Sequence, residues 1–325
     1  ISTEIPTVLL TDDEKLRAEV EAIVNSTPVT DVHTHLFPPE FVELCLFGID
    51  ELLTYHYLTA EMFRSTRIPP DRFWRMSKTD RADLVWQTLF VENSPTSEAA
   101  RGVISVLDAF GLDTRATDLK EAREFFTSRN IGEHVEQVFD IANVSGVVMT
   151  NDPFDETEDR FWKSGIPIGG RFQSSLRLDR LLNNEGTDGN VTALRGFLDD
   201  VIERISPVYF AVSLPADFKF PGDVVRDRLL REVVLLTAKE HHLPLTLMIG
   251  VRRRVNTSLR EGGDGLGKAD VSAVERLCAE YPDVKFLVTF LSRENQHELC
   301  VAARKFNNLM PFGCWWFLNN PSIVS

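Results

Sequence analysis

Beyond residue 143 the chain repeats one pattern. Short apolar runs rich in valine, leucine and phenylalanine alternate with longer segments whose apolar residues recur every three or four positions. The short runs read as buried strands and the longer segments as amphipathic helices. Strands are expected near 144–150, 167–176, 208–214, 243–250, 285–290 and 310–316. Helices are expected over 154–163, 190–205, 223–240, 270–280 and 293–305. One further short buried strand, near 29–34, precedes them all, and a helix from Thr11 to about Ser26 leads into it. That helix starts with a threonine cap and early acids.

Residues 37–142 break the alternation, with helical periodicity over 40–47, 59–66, 79–91, 96–110, 118–129 and 132–141 and almost no strand signal. The stretch is too long for a βα loop and reads as a helical insertion where the first strand ends. Strands alternating with helices indicate a parallel α/β fold. The expected fold class is a TIM (β/α)8-type barrel with seven visible strands. It divides into residues 1–36 (helix and first strand), 37–142 (insertion) and 143–325 (the rest of the barrel). Asn319-Asn320-Pro321 looks like a helix start where an eighth strand is due, so the chain is expected to be an incomplete copy of the barrel. A doubly wound sheet is the alternative, but no G-x-G-x-x-G follows the first strand. The glycine-rich run Glu261–Gly267 follows a loop, and reads as a flexible active-site loop rather than a phosphate-binding one.

Composition narrows the partners. The 325 residues are 43% hydrophobic, with a formal net charge of -14. That charge argues against nucleic acid and against an anionic membrane surface. It leaves room for an acidic small molecule, because clustered arginines can override the global field. No apolar run approaches the ~18 residues of a membrane span, and no signal peptide is read at the start. Cys45, Cys278, Cys300 and Cys314 have no C-x-x-C spacing, and are expected to be reduced, mostly buried thiols of a cytoplasmic protein. A homo-oligomer is compatible with this reading, although no surface declares an interface.

Candidate chemistry begins in Thr30-Asp31-Val32-His33-Thr34-His35-Leu36. Residues i and i+2 of a strand share a side, so His33 and His35 project together with Asp31 behind them. Two imidazoles so placed can grip a divalent metal, with zinc the commonest choice. The remaining functional groups should sit at the strands' C-terminal ends. There stand Thr150, Asn151 and Asp152; Arg177, Asp179 and Arg180; Ser213 and Asp217; Met248 with Arg252, Arg253 and Arg254; Thr289, Ser292, Arg293, Glu294 and Asn295; and Trp315, Trp316, Asn319 and Asn320. Arginines from several strand ends favour a carboxylate or phosphate ligand. One of Trp315 and Trp316 faces the barrel and could wall a sugar pocket. His241 and His242 precede the fifth strand and read as structural, as does His134 in the insertion. His297 lies on the functional face, after the sixth strand.

With these residues assembled, the chain resembles the uronate isomerases of the amidohydrolase superfamily over nearly its whole length. Asp31–Leu36 is similar to the family's metal motif, and Phe312-Gly313-Cys314-Trp315-Trp316-Phe317 with Asn319 to its Trp-Trp-Phe segment. Tyr55-His56-Tyr57 resembles the Asp-His-Tyr segment, Leu176-Arg177-Leu178-Asp179 the Phe-Arg-Pro-Asp segment, and Ile249-Gly250-Val251-Arg252-Arg253 the fifth-strand segment ending in arginine. Met248 stands where the family usually has histidine, Tyr55 replaces the acid, and the family's strand-eight aspartate would lie beyond Ser325. The resemblance implies aldose–ketose isomerisation of a hexuronate, of the D-glucuronate to D-fructuronate type, through a cis-enediol. It assigns a divalent metal to His33 and His35, catalytic roles to His56 and Tyr57, and substrate binding to Arg177, Asp179, Arg253, Trp315 and Trp316. The rival readings are a mononuclear metal-dependent hydrolase or decarboxylase, and a degenerate sugar-acid binding protein.

Overall fold

The computed structural model describes residues 13–183 and 190–313. Its sheet runs β1 (Val29–Thr34), β2 (Val144–Asn151), β3 (Phe172–Arg177), β4 (Phe210–Pro215), β5 (Leu245–Arg252), β7 (Phe286–Phe290) and β8 (Leu309–Pro311), neighbours in that order and all parallel. A two-residue β6 (Gly265–Leu266) adds antiparallel to β5. Sequential strand order with helical crossovers curls the sheet into a TIM-type half-barrel.

The two faces follow the period-two rule. Leu176, Phe210, Val212, Leu214, Leu245, Leu247, Ile249, Phe286, Val288 and Phe290 turn outward, and pack on the helices as the main core. The intervening positions turn inward and are smaller or more polar. Val148, Tyr209, Ala211 and Met248 cluster there, and Thr150, Ser175, Ser213, Thr246 and Thr289 are buried too. Met248 thus fills the interior of the barrel.

Helix starts follow their caps. Asp155 accepts the amides of Thr157 and Glu158, Asn190 that of Ala193 and Ser97 that of Ala100. Residues 37–142 hold no strand among their elements. Their helices close over a second apolar cluster that includes Ile49, Leu53, Met62, Phe73, Trp86 and Phe126. Two short helices there, Ile49–Leu53 and Pro70–Trp74, and one after β3, Asp179–Leu182, do not stand out in the sequence pattern. Each spans barely one turn, too little for periodicity to register. His134 is buried in this layer, between the rings of Phe47, Phe110 and Phe126.

Three expectations need correction. The first strand is not buried: Val29 and Val32 are exposed, and the helix Asp13–Ser26 buries none of its residues. Among the described residues β1 pairs with one strand only, β2. The third strand begins at Phe172 rather than 167, because Gly169 and Gly170 turn the chain before it. Of the described cysteines Cys278 alone is buried, Cys45 is intermediate and Cys300 exposed, so burial is not their common state. Cys314 lies outside the described residues. Among those residues no helix is long and apolar enough to cross a membrane.

Candidate active site

The strand ends place most of the candidate residues in one mouth. His33 and His35 leave β1 with ring centroids 5.5 Å apart and planes at 89°. The His33 amide donates to Asp31 Oδ1 at 3.0 Å, so the aspartate fixes the backbone between the two imidazoles. Desolvation lowers the His33 pKa to about 4, aided by the fields of His35 and Arg177. His35 is exposed as a residue, yet desolvation is the leading cause lowering its pKa, followed by Arg177 and His56. Neutral imidazoles keep a lone pair for a proton or a metal.

Arg177 ends β3, and Asp179 opens the short helix after it. Arg177 Nε lies 3.3 Å from Asp179 Oδ2. Arg253, just past β5, donates from Nη1 to Asp264 Oδ2 at 2.7 Å, and its Nη2 stands 3.9 Å from Asp179 Oδ1. Gly250, at φ +122°, adopts a backbone conformation that L side chains rarely take, and β5 shifts register against β4 at this point, just ahead of Arg252 and Arg253.

His56 begins the helix His56–Ser65, labelled α1 here, which belongs to the helical layer. Its ring is 4.1 Å from Tyr57 and 4.3 Å from Tyr55. Desolvation lowers the His56 pKa against the opposing fields of Glu261 and Asp264.

The glycine-rich run is not the free loop the sequence implies. It forms a helical turn over Thr257–Gly263 and then pairs through β6 with β5. A Cβ on Gly262 would stand 2.8 Å from the His56 carbonyl oxygen, so the glycine lets the loop seat directly on α1. Gly262→Ala is therefore expected to displace His56, lowering kcat/KM by roughly ten- to a hundredfold. Steady-state kinetics and a thermal melt on the same preparation check this, with the midpoint falling by only a few degrees.

His33, His35, His56, Tyr57, Arg177, Asp179 and Arg253 are thus accounted for within the described residues. Trp315 and Trp316 lie outside them. His297 is exposed, and His241 pairs instead with Asp199 at 2.8 Å. Sequence reasoning overlooked Glu158 and Asp264. Glu158 hides in the amphipathic helix Glu156–Lys163, labelled α2, where an acid looks solvated. It is in fact buried, accepting from the Asp152 amide at 2.9 Å and from Asn151 Nδ2 at 3.3 Å.

Desolvation raises the Glu158 pKa to about 7, against those two hydrogen bonds. Its folded pKa exceeds its unfolded one, so the stability it contributes is full below about 4.5 and lost as pH rises through 7. Glu158→Gln keeps an acceptor for both donors and removes the buried charge. Its thermal midpoint should match the parent's near pH 5 and exceed it at pH 8, a gain of about 2 kcal/mol. Melts across that pH range check it.

Among the described residues no three His, Cys, Asp or Glu side chains converge on one point. The donor set nevertheless fits a divalent cation. Two neutral imidazoles stand edge to face, and buried His33 Nδ1 and Asp179 Oδ1 have no hydrogen-bond partner.

No family model and no curated protein matches the sequence. Solved structures do match. A uronate isomerase from Bacillus halodurans C-125 superposes with a TM-score of 0.91 at 49% identity, over 97% of this chain and 79% of that one. The chain belongs to the uronate isomerase family. The fold is shared by a glucuronate isomerase from Caulobacter crescentus, at 16% identity and a TM-score of 0.70 over 97% of this chain and 79% of that one. A uronate isomerase from Thermotoga maritima shares it too, at 18% identity and a TM-score of 0.66, over 97% and 83%. Within the family frame, the helical layer between β1 and β2 is what brings His56 and Tyr57 to the barrel.

Proposed function

We propose that the protein interconverts an aldose hexuronate and its ketose in this mouth. One observation carries the reading: on a chain 49% identical to a uronate isomerase, neutral imidazoles and a part-buried arginine converge where β1 and β3 end. The reaction transfers a proton between C2 and C1 through a cis-enediol. It needs a base at carbon, a proton donor at oxygen and an anchor for the C6 carboxylate.

Arg177 supplies the anchor. Its guanidinium stays charged and offers a planar fork that matches a carboxylate. Arg253, already spanning two carboxylates, is the second candidate for that group. His56 is neutral and can accept a proton, and Tyr57 beside it can donate one. A divalent cation held by His33 and His35, zinc by their donor type, would polarise substrate oxygens when bound. The hydrolase reading needs a fifth-strand nitrogen ligand, and buried Met248 does not provide one.

Proton NMR of the protein with D-glucuronate in D2O, with and without zinc, tests the proposal. A ketose product is expected, with deuterium entering C1 of that ketose and, through the reverse reaction, C2 of the remaining aldose. Substrate unchanged in both hydrogen content and structure, in a folded and zinc-loaded sample, overturns it.

A further inference from the structure

Thr150 lies on β2, beside the histidine motif, and none of the chemistry above uses it. Its side chain is buried and faces inward. Its hydroxyl makes two contacts, both to the end of β1. The Oγ1 donates to the Thr34 carbonyl oxygen at 3.1 Å, and it lies 3.1 Å from His35 Nδ1.

A threonine hydroxyl carries one hydrogen. A carbonyl can only accept, so that hydrogen is committed to Thr34. The oxygen can then meet His35 only as an acceptor, which requires the proton of the neutral imidazole to sit on Nδ1. The lone pair is left on Nε2, at the far side of the ring from Thr150. We propose that Thr150 is a positioning residue that holds His35 in the Nδ1–H tautomer and presents Nε2 to the cation. The inference rests on the metal reading of His33 and His35, but its first step concerns the tautomer alone. His33 has no such support: its Nδ1 is buried without a partner. The two imidazoles are therefore held unequally, His35 by β2 and His33 by the backbone contact to Asp31.

Hydrogen-bonded supports behind a metal-bound histidine commonly carry ten- to a hundredfold in affinity. Thr150→Val preserves the shape of the side chain and removes both hydrogen bonds. Thr150→Ser keeps them. The first measurement is the 15N chemical shifts of the His35 ring in the metal-free parent protein. A protonated Nδ1 supports the assignment, and a protonated Nε2 overturns it whatever the protein binds. The second is zinc affinity by competition with a chromophoric chelator. Thr150→Val is expected to bind zinc about ten- to a hundredfold more weakly, with Thr150→Ser close to the parent. Equal affinity in parent and Thr150→Val overturns the positioning role while leaving the metal site intact. A parent that binds no zinc overturns the metal reading and with it the role of Nε2. The Thr150→Ser variant and the tautomer measurement stay decisive if Thr150→Val does not fold.

Discussion

Replacing His33 with alanine is expected to remove bound zinc and to lower kcat/KM by at least about a thousandfold, roughly 4 kcal/mol of transition-state stabilisation. The size follows from the donor count. Within the described residues the imidazoles of His33 and His35 are neighbouring nitrogen donors at the end of β1, with centroids 5.5 Å apart. Losing one of two such ligands removes more than half of the grip, because the survivor no longer chelates. The fold should tolerate the change. His33 is part-buried in a strand that has no fully buried residue, and Asp31 loses no partner because it accepts from the residue's amide rather than its ring. Metal content measured on the purified variant, alongside isomerase assays, decides the matter. Full metal content together with full activity in His33→Ala would dismantle the mechanism.

The second large effect belongs to Arg177. Arg177→Met is expected to lower kcat/KM for a hexuronate by about a hundred- to a thousandfold, or 3 to 4 kcal/mol, mainly through a raised KM. Lysine should rescue little, since an ammonium cannot present the planar fork. The substitution also unpairs Asp179, whose Oδ2 faces Arg177 Nε at 3.3 Å. Because the pair is only part-buried and Arg253 stands nearby, the stability cost should be about 1 to 2 kcal/mol. A double variant separates the two consequences. Arg177→Met with Asp179→Asn should regain most of the lost stability and none of the lost affinity. Recovery of activity in the double variant would mean that Arg177 serves the fold and not the ligand.

The barrel strands were legible because they obey local rules. Continuous apolar runs between turn residues mark strands buried on both faces, and β2, β4, β5 and β7 all have that form. The pairing of His33 with His35 followed from the two-residue repeat of a strand. The exposure of β1 did not, since burial depends on neighbours far away in the chain. Glu158 shows the same limit from the other side. A glutamate on an amphipathic helix looks solvated, and only the close approach of the Asn151–Asp152 turn makes it a buried group. Thr150 stood visibly at a strand end, but its purpose depends on the Thr34 carbonyl beside it, 116 residues earlier in the chain. The seating of Gly262 on the His56 carbonyl is likewise a long-range contact, and it turned a supposed flexible loop into a packed one.

The two apolar clusters described above have a consequence for how this protein should fail. His33, His35, Arg177 and Asp179 ride on the sheet, while His56 and Tyr57 ride on the helical layer with its own interior. Catalysis therefore reports whether two separately cohesive bodies remain in register, which is a stricter condition than either staying folded. On gentle warming, turnover should fade before ellipticity or tryptophan emission changes, and should return on cooling. In such a molecule the temperature optimum marks the loosening of a joint, while the calorimetric transition marks the melting of its parts.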